Sequence, residues 1–152
     1  MTSRALRPAN AALYGEDFAL WSAETVRLLR EGRFEEIDIG HLVEEVEGMA
    51  KSDRHELNNR MIVLLIHLLK WKFQPAKRSH SWQNTIDAQR VRIELVFTNS
   101  PSLRRAVPDA AAEVYRHAVR LAAGQTRLPR DAFPAECPFT PEQILDEDFL
   151  PE

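Results

Sequence analysis

Residues 61–71 read MIVLLIHLLKW, a helix-length run that is apolar on nearly every side and interrupted only by His67 and Lys70. A helix with one apolar stripe lies on a surface, whereas one that is apolar all round has to be enclosed. The rest of the chain must therefore supply the elements that cover this segment. The run is too short to span a bilayer, which takes about 20 apolar residues.

The covering elements read as helices. From Asp17, a good N-cap, the residues Phe18, Trp21, Thr25, Leu28 and Leu29 fall on one stripe, and Gly32 sits where a left-handed stop is wanted. Asp38 caps a second segment with Leu42, Val43, Val46 and Met49 apolar. Gly48 and Ser52 mark a break or kink, which leaves open whether 38–73 is one bent helix or two. Gln74-Pro75 stops this stretch, because a residue before proline resists helical geometry. Ser79 or Ser81 caps a helix carrying Trp82, Ile86, Ile93 and Phe97, ended by Asn99-Ser100-Pro101. After Pro108 comes a stripe of Ala111, Val114, Tyr115, Ala118, Leu121 and Ala122, closed by Gly124. Five prolines between 129 and 151 forbid a long helix in the tail. Thr140-Pro-Glu-Gln143 is a compact capping box, and Phe133, Phe139, Ile144, Phe149 and Leu150 are too apolar to leave in water.

The expected fold is all-α. It is a single-domain bundle of about five main helices around a buried central helix, with an irregular, proline-rich tail wrapping the bundle. Residues 1–13 read as a flexible lead-in and 14–152 as the domain, since 152 residues suit one core. One cysteine, Cys137, excludes an intrachain disulfide and a cysteine-rich zinc site, and the N-terminus has no signal-peptide core, so a cytoplasmic protein is expected. The net charge of −3 conceals an uneven layout: 16–47 holds ten acids and three arginines, 70–92 six basic residues and one acid, and 129–152 seven acids and one arginine. Such blocks are expected to neutralise one another within the fold.

Several short stretches occur together in order: Asp17-Phe18 with Trp21, LLREGRF at 28–34, LVEEVE at 42–47, HLLKW at 67–71, Gln74-Pro75, Ser81-Trp82, Gln89-Arg90 and PSL at 101–103. Phe133-Pro134, Cys137-Pro138 and QILD at 143–146 complete the series. In these the chain resembles domain-of-unknown-function family 29, a bacterial family, over residues 14–152. The resemblance implies a compact helical domain and carries no activity or catalytic residue with it. It marks Glu44, Glu45, His67, Lys70, Trp71 and Trp82 as positions of interest.

Chemistry-bearing clusters are few. Glu44 and Glu47 form an E-x-x-E pair, with His41 one turn before Glu45; carboxylates at this spacing suit magnesium or manganese, so His41, Glu44, Glu45 and Glu47 are the candidate metal ligands. His67 and Lys70 lie one turn apart in the apolar block and, with Trp71, Arg78, Trp82 and Arg90, form the candidate cleft or ligand-binding set. His55-Glu56 lacks the second histidine of a zinc helix, Asn59 standing in its place. Phosphate-binding glycine loops and nucleophile elbows are absent from the sequence. Glu113, Arg116, His117 and Arg120 read as a surface ion-pair stripe. The basic, tryptophan-bearing stretch 70–92 has the ingredients for nucleic acid, but the same residues serve equally as core aromatics and ion-pair partners of the acidic helix. At least one of Lys70, Arg78 and Arg90 is expected to meet a carboxylate.

These readings favour a non-enzymatic helical interaction or adaptor module, binding another protein or a second copy of itself as a homodimer. No catalytic residue, cofactor or membrane is expected. The alternatives are a magnesium- or manganese-dependent hydrolase built on Glu44 and Glu47, and a nucleic-acid-associated protein using 70–92, which is disfavoured.

Overall fold

Where the sequence carries a cap, the chain starts a helix. The computed structural model describes Pro8 and residues 10–152, and every regular element among them is helical. The α-helices are α1 (Leu13–Glu16), α2 (Phe18–Arg30), α3 (Ile39–Phe73), α4 (His80–Asn99), α5 (Val107–Thr126) and α6 (Pro141–Leu145). Short 3-10 turns stand at Phe34–Glu36, Pro75–Lys77, Pro101–Ala106 and Arg130–Ala132. Asp17 caps α2 by accepting from the Leu20 amide, and Ser79, rather than Ser81, caps α4. Thr140 and Gln143 close the full capping box of α6. Gly32 takes a φ of 70°, the left-handed geometry that suits glycine.

Two features depart from the local signals. Gly48 and Ser52 do not break the chain, and 39–73 is one helix of 35 residues. One glycine costs a helix only about 1 kcal/mol, which flanking turns readily offset. Nor does Gly124 end α5: the helix runs to Thr126, and Arg127 takes the left-handed position at φ 60°. Thr126 organises that end, donating its hydroxyl to the Ala122 carbonyl and accepting from the Leu128 amide.

Packing divides the described chain into two compact units, one reaching Lys51 and one spanning Ser52–Glu152, with the boundary inside α3. In the first unit, Ala11, Trp21, Leu28 and Ile37 are buried, and the buried Asn10 donates to Thr25. The lead-in expected over 1–13 falls, for residues 1–7 and 9, outside the described residues.

The second unit holds the large core. Leu57, Met61, Leu64, Leu65, Leu68 and Leu69 of α3 are fully enclosed, as the all-round apolar run demands. Ile86, Ile93 and Phe97 of α4 cover them, together with the small-residue face Ala110, Val114, Ala118 and Ala122 of α5. Phe133, Phe139 and Ile144 of the tail are buried in the same cluster, and Phe149 and Leu150 pack on it. Leu121, read as a stripe residue, is instead exposed on α5, as are Phe18 and Leu29 on α2. No helix among the described residues is long and apolar enough to cross a membrane.

Candidate functional site

The candidate set of the second unit gathers at the C-terminal end of α3 and the start of α4. Apolar residues at 64, 65, 68 and 69 fix the rotation of α3, which leaves His67, Lys70 and Trp71 on its half-buried side. Lys70 Nζ lies 4.5 Å from the centroid of the Trp82 ring and donates to Gln125 Oε1 at 3.1 Å. Arg78 lies 5.3 Å from the Trp71 ring centroid and donates to the carbonyls of Trp71 at 2.8 Å and Pro151 at 3.3 Å. A cation over an indole is attracted by the negative face of the ring. Trp71 and Trp82 therefore each have a cation of their own chain over the ring, where a stacked base would compete with it.

His67 is half-buried, as is Trp71, so neither is as enclosed as the leucines beside them. His67 Nδ1 donates to the Val63 carbonyl at 2.9 Å, which leaves Nε2 an acceptor in the neutral ring. Burial holds its pKa below the usual histidine value, and the Lys70 charge adds to that. Lys70 is likewise pushed down by burial. A neutral imidazole beside a desolvated ammonium can accept one proton or bind one small polar group.

Arg90 stands apart from this corner in role. It is buried, and its guanidinium donates to the carbonyls of Ile144 at 3.0 Å, Gln143 at 3.2 Å and Glu147 at 3.5 Å. These are the bare carbonyls at and just past the C-terminal end of α6, where a cation is favoured. Burial pulls the Arg90 pKa down, while the carboxylates of Asp87, Asp146 and Glu147 act the other way. Arg90 therefore holds the tail.

The expected carboxylate contact of Lys70, Arg78 or Arg90 is not formed among the described residues; amide and carbonyl oxygens take its place. The acids of the first unit meet nearer partners. Arg27 bridges Glu24 and Glu31, and Arg33 bridges Glu31 and Glu36. These exposed pairs hold three carboxylates and two guanidiniums in local geometry.

The metal candidates sit on the first turns of α3. His41 Nδ1 bonds the Asp38 carboxylate, and its ring stacks on Tyr14 at 3.8 Å between centroids and 13° between planes. Tyr14 donates to Glu45 at 2.6 Å, a bond that pushes its hydroxyl pKa up to about 12. Glu44 and Glu47 face solvent. Asp53 accepts from Asn99 and Ser100 at the end of α4, and Glu56 accepts from Arg60. Among the described residues no three of His, Cys, Asp or Glu gather as ligands would. The surface stripe on α5 also departs from expectation, for Glu113 turns to Arg54 and Asn58 rather than to Arg116 or His117.

A further surface was missed by sequence reasoning. Ile39, Val43, Val46 and Met49, on the first turns of α3, are between 48 and 69% exposed. The helix presents its Tyr14-bonded side, His41 and Glu45, to α1, and no described residue covers the stripe. The spacing alone marked an apolar face; it could not mark that nothing among the described residues covers it.

The model of DUF29, a domain of unknown function, matches residues 13–150. The chain belongs to the DUF29 family. The helical architecture above is thus that of a DUF29 chain along nearly its whole length. No curated protein and no solved structure matches it. DUF29 membership brings no reaction, and the functional reading rests on the geometry of this chain.

Proposed function

We propose that this DUF29 chain acts by binding another protein, as a helical interaction module, through the uncovered stripe at the start of α3. One observation carries the reading. Ile39, Val43, Val46 and Ala50 follow one another by four, three and four residues, so they form one line on the helix, with Met49 beside it. All five are exposed. Enclosing a side chain of this kind is worth about 1.5–3 kcal/mol, so the stripe favours a cover. A run of apolar residues at this spacing fits another helix lying along it.

Charge selects among helices. Glu44 and Glu47 stand beside the stripe, and 16–47 carries ten acids against three arginines. A second copy in parallel would bring acid against acid, whereas a helix with lysine or arginine flanking its apolar line is attracted. The occupant is therefore a basic amphipathic helix of a partner protein. We place this work in the cytoplasm, the compartment that a lone cysteine suits.

The test uses two labelled synthetic helices with the same leucine spacing, one flanked by lysine and one by glutamate, titrated with the full chain in fluorescence anisotropy. Saturable binding of the lysine peptide only, weakened by salt and lost in the Val43→Glu/Val46→Glu variant, is the expected result. Sedimentation of the chain alone covers the remaining case. A dimer that the same variant dissociates would make a second copy the occupant and overturn the reading, as would a monomer that binds neither peptide.

A further inference from the structure

A cavity of about 640 Å³ lies in the second unit between α5 and the tail. Its apolar wall is Tyr115, Val119 and Phe133, and its polar rim is Arg116, His117, Arg120, Arg130 and Asp131. Tyr115 donates to the Pro134 carbonyl at 2.7 Å, and Phe133 packs edge-on against Phe73 at 5.2 Å, so the two walls are fixed to each other and to the core. A volume of this size falls within the ~300–1,000 Å³ range of small-molecule sites.

The three guanidiniums are unspent. None makes a hydrogen bond or ion pair with a described residue; Arg92, Arg105 and Arg127 are also unengaged, but only Arg116, Arg120 and Arg130 converge on this cavity. Arg116 and Arg120 are one turn apart on α5, and Arg130 comes from the 3-10 turn of the tail. The carboxylate best placed along α5 to neutralise them, Glu113, is held by Arg54 and Asn58. Asp131, the carboxylate that lines the cavity, forms no ion pair with any of them. Three cations and one carboxylate round an apolar wall leave a positive excess, which matches a ligand of the complementary build.

We propose that this cavity binds a small organic anion: a carboxylate or phosphate head held by Arg116, Arg120 and Arg130, with an aromatic or branched apolar body against Tyr115, Val119 and Phe133. Guanidinium forks suit either head, since both offer two oxygens in one plane. The site is separate from the stripe of α3, and its test is independent of that reading.

The full chain is titrated by calorimetry with 2-naphthoate, 2-naphthyl phosphate, neutral 2-naphthol and inorganic phosphate. One molecule of naphthoate or naphthyl phosphate should bind per chain, the tighter of the two naming the head, with naphthol and inorganic phosphate each at least about tenfold weaker. Arg116→Gln, Arg120→Gln and Arg130→Gln should each weaken the organic anion about tenfold or more without lowering the melting temperature, since all three are exposed and unpaired. Arg105→Gln, at an exposed arginine of the Pro101–Ala106 turn that does not line the cavity, should leave affinity unchanged. Equal binding of naphthol, an equal loss in Arg105→Gln, or the absence of saturable binding would overturn the proposal.

Discussion

Arg90→Leu removes the fork that holds the tail, and its cost can be worked from the contacts. Arg90 is only 3% exposed. Its 3.5 Å contact to the Glu147 carbonyl is too long to count for much, which leaves the bonds to Ile144 and Gln143 at 3.0 and 3.2 Å. Hydrogen bonds from a charged donor contribute about 1.5–3 kcal/mol each, so two sum to about 3–6 kcal/mol. Leucine relieves the desolvation of a buried charge and adds apolar contact, which returns part of this. A net loss of about 2–4 kcal/mol is expected, read as a lower urea midpoint at unchanged slope. Amide exchange should accelerate most at 140–150. Lysine has a single ammonium and cannot reach two diverging carbonyls as a planar fork does, so Arg90→Lys should recover less than half of the loss. A loss below about 1 kcal/mol, or full recovery with lysine, would refute the clamp.

Gly48→Ala tests the continuity of α3: an added Cβ meets nothing within 4 Å, so a helix that runs through should gain about 0.5–1 kcal/mol, and an unchanged or lower melting temperature would contradict it. Arg127→Gly should raise stability by about 0.5–1 kcal/mol, because a left-handed non-glycine residue costs roughly 1–2 kcal/mol and glycine gives back part as chain entropy; thermal unfolding reads this directly, and no gain would mean that φ 60° carries no strain. His67 gives a pH signature. Its folded pKa lies below its unfolded value because of burial, so its contribution is full above about pH 6.5 and is lost as pH falls through the folded value. His67→Gln should therefore flatten the decline of the urea midpoint between about pH 7.5 and 5.5, and an equal slope in both proteins would rule the effect out.

Signals that act within a few residues were legible in the sequence. Asp17, Ser79 and Thr140 cap helices because an N-cap needs only its own side chain and the next turn's amides. The enclosure of Leu64, Leu65 and Leu68 followed from an apolar run interrupted only by His67 and Lys70. What could not be read depends on distant partners. Glu113 was assigned to its α5 neighbours, yet Arg54, 59 positions earlier, takes it. Arg90 looked like part of a basic cleft, and its partners lie on the tail, more than fifty residues away. Arg130 joins Arg116 and Arg120 only because Phe133 anchors the tail beside α5. The apolar line on the first turns of α3 was visible, but whether an element covers it is a fact of tertiary packing.

The burial of Phe139 and Ile144 in the same core cluster as α3 also sets a timetable. Met61 and Leu65 leave the ribosome about 80 residues ahead of the tail side chains that help to enclose them. At about 5–20 residues per second that interval is on the order of 4–16 s. For those seconds the most apolar helix of the nascent chain lacks part of its native cover, and Arg90 waits for carbonyls that have yet to be made. Closure of the core over that helix therefore trails its own synthesis by about 80 residues.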